Sequence, residues 1–163
     1  MADSPAASVA RRYFDSVARH DLDEAMACWV PGGIDHLAPV GELRVPDELR
    51  AYFEELFAAM PDFEYEVTSL IEQGDRVAVH WRAHGHFTGR PYAGINSNGS
   101  TISTEGADLI QVEDGLIQIR DVIDRDLLTC PEDDIKDTRV LQTWIEGKKV
   151  YERGGDLRTT SRR

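Results

Sequence analysis

Apolar and polar positions alternate with two different periods along this chain, and the change falls near residue 62. In the first part the period is helical. Val9, Tyr13 and Val17 recur every four residues with Ala10 and Phe14 beside them, which predicts an amphipathic helix from Pro5 to about His20. Ser4-Pro5 supplies its start, a serine cap followed by proline at the first helical position. Asp21 with Glu24 three residues on reads as a capping box for a second, shorter helix that buries Met26 and Trp29 and stops at Pro31-Gly32-Gly33. "IDHLAP" suits a short strand, and Pro46 opens a third helix with Leu49, Phe53, Leu56, Phe57 and Met60 on one apolar face, ended by Pro61.

From Phe63 onward the period is two. Phe63, Tyr65 and Val67 alternate with Glu64, Glu66 and Thr68, Gln73-Gly74-Asp75 is a turn, and "RVAVHWRAHGHF" alternates again. Strands are expected at about Thr101–Val112 and Leu116–Asp124, joined by the hairpin signal Glu113-Asp114-Gly115. Three helices followed by long antiparallel strands make an α+β plan, in which a curved sheet wrapped around the helices forms a cone with a pocket.

Composition adds a boundary and several exclusions. The chain has 163 residues, enough for one sizeable core, and a net charge of −12 argues against nucleic acid as a partner. Residues 1–131 carry 23 acids and 10 arginines, whereas 132–163 carry 7 acids and 8 bases with all three lysines, so the last segment reads as an appendage. The stretch 140–152 suits a hairpin, Val140–Ile145 and Lys149–Glu152 about Glu146-Gly147, and 156–163 is expected to fray. Two cysteines, Cys28 and Cys130, make no disulfide framework. Without an apolar run of membrane-spanning length or a secretory pattern, the expectation is a soluble cytoplasmic protein with no membrane partner.

Two polar clusters are candidates for chemistry. Alternation puts His80, Arg82, His84 and His86 on one face of their strand and Val77, Val79, Trp81 and Phe87 on the other. The apolar set is core, so the histidines are expected in solvent or at an interface. A zinc site on His84 and His86, with His36 or Asp35 as third ligand, is the outside alternative. In "IQIRDVIDRDLL" (117–128), Ile117, Ile119, Asp121 and Ile123 fall on one face, and Gln118, Arg120, Val122 and Asp124 on the other. An aspartate facing an apolar cavity has its pKa raised and can carry a proton between carbon and oxygen, with Arg120 able to bind a substrate oxygen.

Four pieces in order, "YFDSVARHDLDEA" (13–25), "MPDFEYEVTSLIEQGDRVAVHW" (60–81), "GHFTGRPYAGI" (85–95) and "EGADLIQVEDGLIQIRDVIDRDLL" (105–128), resemble SnoaL-like polyketide cyclases of the nuclear transport factor 2-like superfamily. The resemblance spans about residues 9–128. It implies a cone-shaped fold and metal-free, cofactor-free acid/base catalysis of an aldol closure, with the family's acid falling on Asp124. The run Gly115 to Asp124 is one residue shorter than the usual pattern, which makes Asp121 the alternative inward acid. Phe87 stands at the family's histidine position, leaving His84 or His36 as substitutes. The tail "DIKDTRVLQTWIEGKKVYE" (134–152) resembles the closing strands of metal-dependent amidohydrolases, without their metal ligands.

The sequence thus supports a cofactor-free cyclase, isomerase or lyase acting on a hydrophobic oxygenated small molecule. Asp124 is its proton shuttle, and Trp29, His36, Phe53, Trp81 and Tyr92 are the candidate pocket walls. A non-catalytic binding module of the same fold is the alternative. The isoleucine face of 117–123 suits an isologous contact, so a homodimer is expected.

Overall fold

The computed structural model of the protein describes residues 4–37, 40–123, 142–145 and 148–152. Ser4 caps the first helix, α1 (Pro5–Ala18), by accepting a hydrogen bond from the Ala7 amide at 3.1 Å. Pro5 takes the first helical position, where its missing N–H is no loss. The four-residue spacing does what it should: Val9, Ala10, Tyr13, Phe14 and Val17 are all buried. Asp21 accepts from the Glu24 amide at 3.1 Å and opens α2 (Leu22–Ala27).

Helix α2 stops at Cys28, before the predicted Pro31-Gly32-Gly33 break, and Trp29 is already in strand β1 (Trp29–Leu37). The proline and glycines lie inside that strand instead. Trp29 pairs with Ile117 and Ile34 with Ile119, so four residues of β1 stand against one of its neighbour. Gly32, at φ +81°, takes a backbone conformation in this irregularity that other residues resist. After β2 (Gly41–Arg44) comes α3 (Asp47–Ala59), which buries Leu49, Phe53 and Leu56 as its spacing predicts.

The remaining strands are β3 (Glu64–Gln73), β4 (Arg76–His86), β5 (Thr101–Glu113) and β6 (Leu116–Ile123). With β1 and β2 they form a six-stranded curved sheet in the order β2-β1-β6-β5-β4-β3. Its pairings are antiparallel except β1 with β6, which run parallel. The β5–β6 turn is the predicted hairpin, with Asp114 at φ 50° and Gly115 at φ 76°. Helix α1 lies against β3 to β6, and one apolar core joins the helices to that face of the sheet.

Beyond this α+β unit, β7 (Gln142–Ile145) and β8 (Lys148–Glu152) pair antiparallel in a sheet of their own. The chain divides into units Met1–Leu128 and Thr129–Arg163. Cys130, Val140 and the terminal 156–163 lie outside the described residues. No described helix is long and apolar enough to cross a membrane.

Candidate active site

One irregularity in β6 determines which side chains enter the core. Val112 pairs with Ile117 but Gln111 pairs with Ile119, so Gln118 is an extra residue without a partner in β5. The bulge puts Ile117 on the same helix-covered face as Arg120, both buried. The sequence expectation that Ile117 shares a face with Ile119 and Asp121 is thereby corrected, since strict alternation does not survive an inserted residue.

Arg120 lands among acids. Asp35 on β1 is its cross-strand partner, and Asp108 on β5 faces the same way. Its Nε donates to Asp35 Oδ1 at 3.0 Å, and Nη2 stands 2.8 Å from Asp35 Oδ2. Nη1 donates to the Tyr13 hydroxyl at 3.2 Å and stands 3.4 Å from Asp108 Oδ2. Trp81 on β4 donates its indole N–H to Asp108 Oδ1 at 2.9 Å. Asp35, Asp108 and Tyr13 are each 0 % exposed, and Arg120 is 4 %.

Burying two carboxylates with one guanidinium leaves a surplus negative charge if both acids ionise, and a low-dielectric interior resists that. Burial raises the Asp108 carboxyl to about 6 despite Arg120 and the Trp81 hydrogen bond. Burial also raises Asp35, opposed first by Arg120. Geometry separates the two. Asp35 has two close guanidinium contacts, whereas Asp108 has one at 3.4 Å and is the acid that takes a proton near neutrality. Tyr13 is pushed well up, chiefly by burial, and remains a neutral hydroxyl. Asp108 Oδ2 and Trp29 Nε1 have no hydrogen-bond partner among the described residues.

The walls around this cluster are aromatic. Phe14, Tyr65 and Trp81 form a stacked series with centroid spacings of 5.5 and 5.1 Å. Trp29 packs edge-on to Tyr13 at 5.5 Å, and Phe53 is buried against Tyr52 and Phe57. Tyr52 is raised, chiefly by burial and then by its neighbour Tyr92, the half-buried residue in the loop after β4.

The other expected residues are elsewhere. His36 is buried, yet its neighbour Asp35 takes the helix-covered face, and His36 Nδ1 donates to Asp121 Oδ1 at 2.5 Å. Asp121 is half-exposed and points away from Arg120. His84 and His86 stand on the uncovered face as alternation predicts, each with its own carboxylate: His84 Nε2 lies 3.2 Å from Glu64, and His86 Nδ1 donates to Asp62 at 2.6 Å. The His86 backbone N–H also donates to Asp62, and it is the largest cause of that carboxyl's lowered pKa. Among the described residues no three histidine, cysteine or acidic side chains converge as a metal site. Asp124 lies outside the described residues.

A family model described as SnoaL-like domain matches residues 10–119. The chain belongs to the SnoaL-like family. No curated protein sequence matches it. Solved structures share the SnoaL-like architecture at low identity. TsrD from Streptomyces laurentii is 20% identical with a TM-score of 0.64, over 78% of this chain and 92% of that one. A Jannaschia sp. CCS1 protein classed with the SnoaL-like polyketide cyclases is 20% identical with a TM-score of 0.65, over 75% and 89%. TerC, co-crystallized with polyporic acid, is 15% identical with a TM-score of 0.59, over 74% and 91%. These likenesses concern the fold.

Sequence reasoning missed Asp108 and the tyrosine hydroxyl beside it, and considered Asp35 only as a metal ligand. A signal was present: Asp108 shares its strand parity with Ile110 and Val112, which makes it an acid at a core position.

Proposed function

We propose that this SnoaL-like protein is a cofactor-free general acid/base catalyst of cyclase, isomerase or lyase type, acting on a hydrophobic oxygenated small molecule at the helix-covered face of the sheet. The observation that carries the reading is the Asp108 carboxyl, fully buried and raised to about 6 beside Arg120 and the neutral Tyr13 hydroxyl. An acid of that strength exchanges a proton readily near neutral pH, and an apolar aromatic wall favours a substrate of matching polarity. The fold relative TerC, co-crystallized with polyporic acid, supports an acidic organic ligand for this architecture.

Asp124 is retained as proton shuttle on the sequence resemblance alone, which puts the acid of the SnoaL-like cyclases at that position. Arg120 orients substrate oxygen through its charge while neutralising Asp35. His84 takes no part in this reading, because it is exposed and pairs with Glu64.

The test is α-hydrogen exchange into deuterated water for a panel of aryl β-keto methyl esters, with binding followed by thermal shift. The expected result is catalysed exchange that Asp124→Asn abolishes and that declines in wild type as pH rises through about 6, where Asp108 loses its proton. Panel members that bind without accelerated exchange would instead make the protein a binding module.

A further inference from the structure

Gly106 is the only glycine in β5, and it pairs directly with Trp81 on β4. A Cβ at that position would stand 2.6 Å from Cζ2 of the indole and 3.1 Å from Cε2 and Cη2. No real Cβ tolerates the first of these distances, so the glycine is what lets the indole lie flat over the neighbouring strand. The ring also stacks on Tyr65 at 5.1 Å, so a shift of the indole would disturb that pair. So placed, its N–H meets Oδ1 of Asp108, two residues along β5 on the same face.

We infer that Gly106 and Trp81 are a positioning pair for Asp108: the glycine seats the indole, the indole N–H occupies Oδ1, and the carboxyl proton is thereby favoured on Oδ2. The hydroxyl oxygen of a protonated carboxyl is a weaker acceptor than its carbonyl oxygen, so a donor held on Oδ1 favours Oδ1 as the carbonyl and Oδ2 as the protonated oxygen. Oδ2 is the oxygen without a hydrogen-bond partner among the described residues, and it stands 3.4 Å from the same Arg120 nitrogen that binds the Tyr13 hydroxyl. The proton is therefore stored beside Arg120 and Tyr13, on the side away from β4. Neither Gly106 nor Trp81 needs to touch substrate for this to matter.

The groups acting on the Asp108 charge come from every element around it: Arg120 and Asp121 on β6, Asp35 on β1, Tyr13 on α1, Tyr65 on β3 and Trp81 on β4. Of these, Trp81 supplies a neutral donor that favours the ionised form. Removing it makes Asp108 a weaker acid.

The inference rests on the acid/base reading only in taking Asp108 as a working acid, and its test needs no substrate. The carboxyl carbon of Asp108, identified by its loss in Asp108→Asn, is titrated by carbon-detected NMR while the Trp81 indole N–H signal is followed in the same samples. In wild type the indole signal is expected to move with the Asp108 titration. Trp81→Phe should make Asp108 about tenfold weaker as an acid. Gly106→Ala should shift it in the same direction with Trp81 intact, and should add nothing in the Trp81→Phe background, where the colliding ring atoms are gone. An indole signal indifferent to the titration overturns the pairing even if neither variant folds. So does a Gly106→Ala shift of equal size in both backgrounds. Coupled titrations without any catalysed exchange would keep the pairing and remove the acid/base reading.

Discussion

Asp108 and Asp35 are both aspartates on sheet strands facing the same arginine, yet their distances to it give them different chemistry. The near one is an ion-pair partner and the far one a proton store. A raised carboxyl has a definite consequence for stability. Relative to an unfolded value near 3.8, a folded value of about 6 means that the folded state prefers the protonated acid. Well below pH 4 both states carry the proton and burial of Asp108 costs nothing through its charge. Between about pH 4 and 6 the unfolded chain has released the proton while the folded state keeps it, so stability falls across that window and stays at its lower level above 6. The full difference is about 3 kcal/mol. Asp108→Asn, which keeps an oxygen for the Trp81 N–H, should therefore match wild type in thermal melting at pH 4 and exceed it at pH 8 by up to that amount. A constant difference across the range would mean that Asp108 is not the group titrating.

At the scale of elements, what could be read depended on whether a local rule was interrupted. Helix α1 was legible to its cap, because Ser4, Pro5 and the spacing of Val9, Tyr13 and Val17 all act within one helix. Strand β4 was legible in the same way: its histidines face outward and its valines inward over the whole length. Strands β1 and β6 were not, because their irregularities come from how they fit each other. Pro31–Gly33 reads locally as a helix stop, and nothing around Gln118 announces a bulge. Yet these two insertions face each other across the β1–β6 pairing, and together they bring Asp35 and Arg120 into register. A residue identity could be seen from sequence, but the face it would occupy could not. Deleting Gln118 tests whether the extra residue itself is needed. Ile117 stays opposite Val112, and Ile119 and Arg120 stay opposite Gln111 and Ile110, so the ladder becomes continuous and Arg120 keeps the helix-covered face. Urea unfolding is therefore expected to remain cooperative. Loss of the cooperative transition would show that β6 needs the extra residue to fit the longer insertion opposite it in β1.

Across the whole sheet, the face turned away from the helices carries a continuous cross-strand row: Ile71, Ala78, Leu109, Asp121 and His36 on β3, β4, β5, β6 and β1. Ile71 is 53% exposed and Leu109 48%, high values for aliphatic side chains within long strands. The expected homodimer has a better candidate here than in the isoleucines of β6, since Ile117 has gone into the core. We propose this row as the isologous contact, which a second copy covers with the same residues. Leu109→Lys separates the dimer from the fold. Lysine at 109 sits directly opposite Asp121, where a cross-strand pair of opposite charge is favourable, so the sheet loses little. In a two-fold contact the same substitution brings two lysines and their acidic partners out of water, and that desolvation costs more than the apolar contact gains. Wild type should therefore show twice the chain mass by light scattering at micromolar concentration, and Leu109→Lys the mass of one chain with its thermal transition still cooperative. A wild-type monomer would remove the dimer altogether. A dimeric Leu109→Lys variant would move the contact to another face and leave the exposure of Ile71 and Leu109 to be explained by a different occupant.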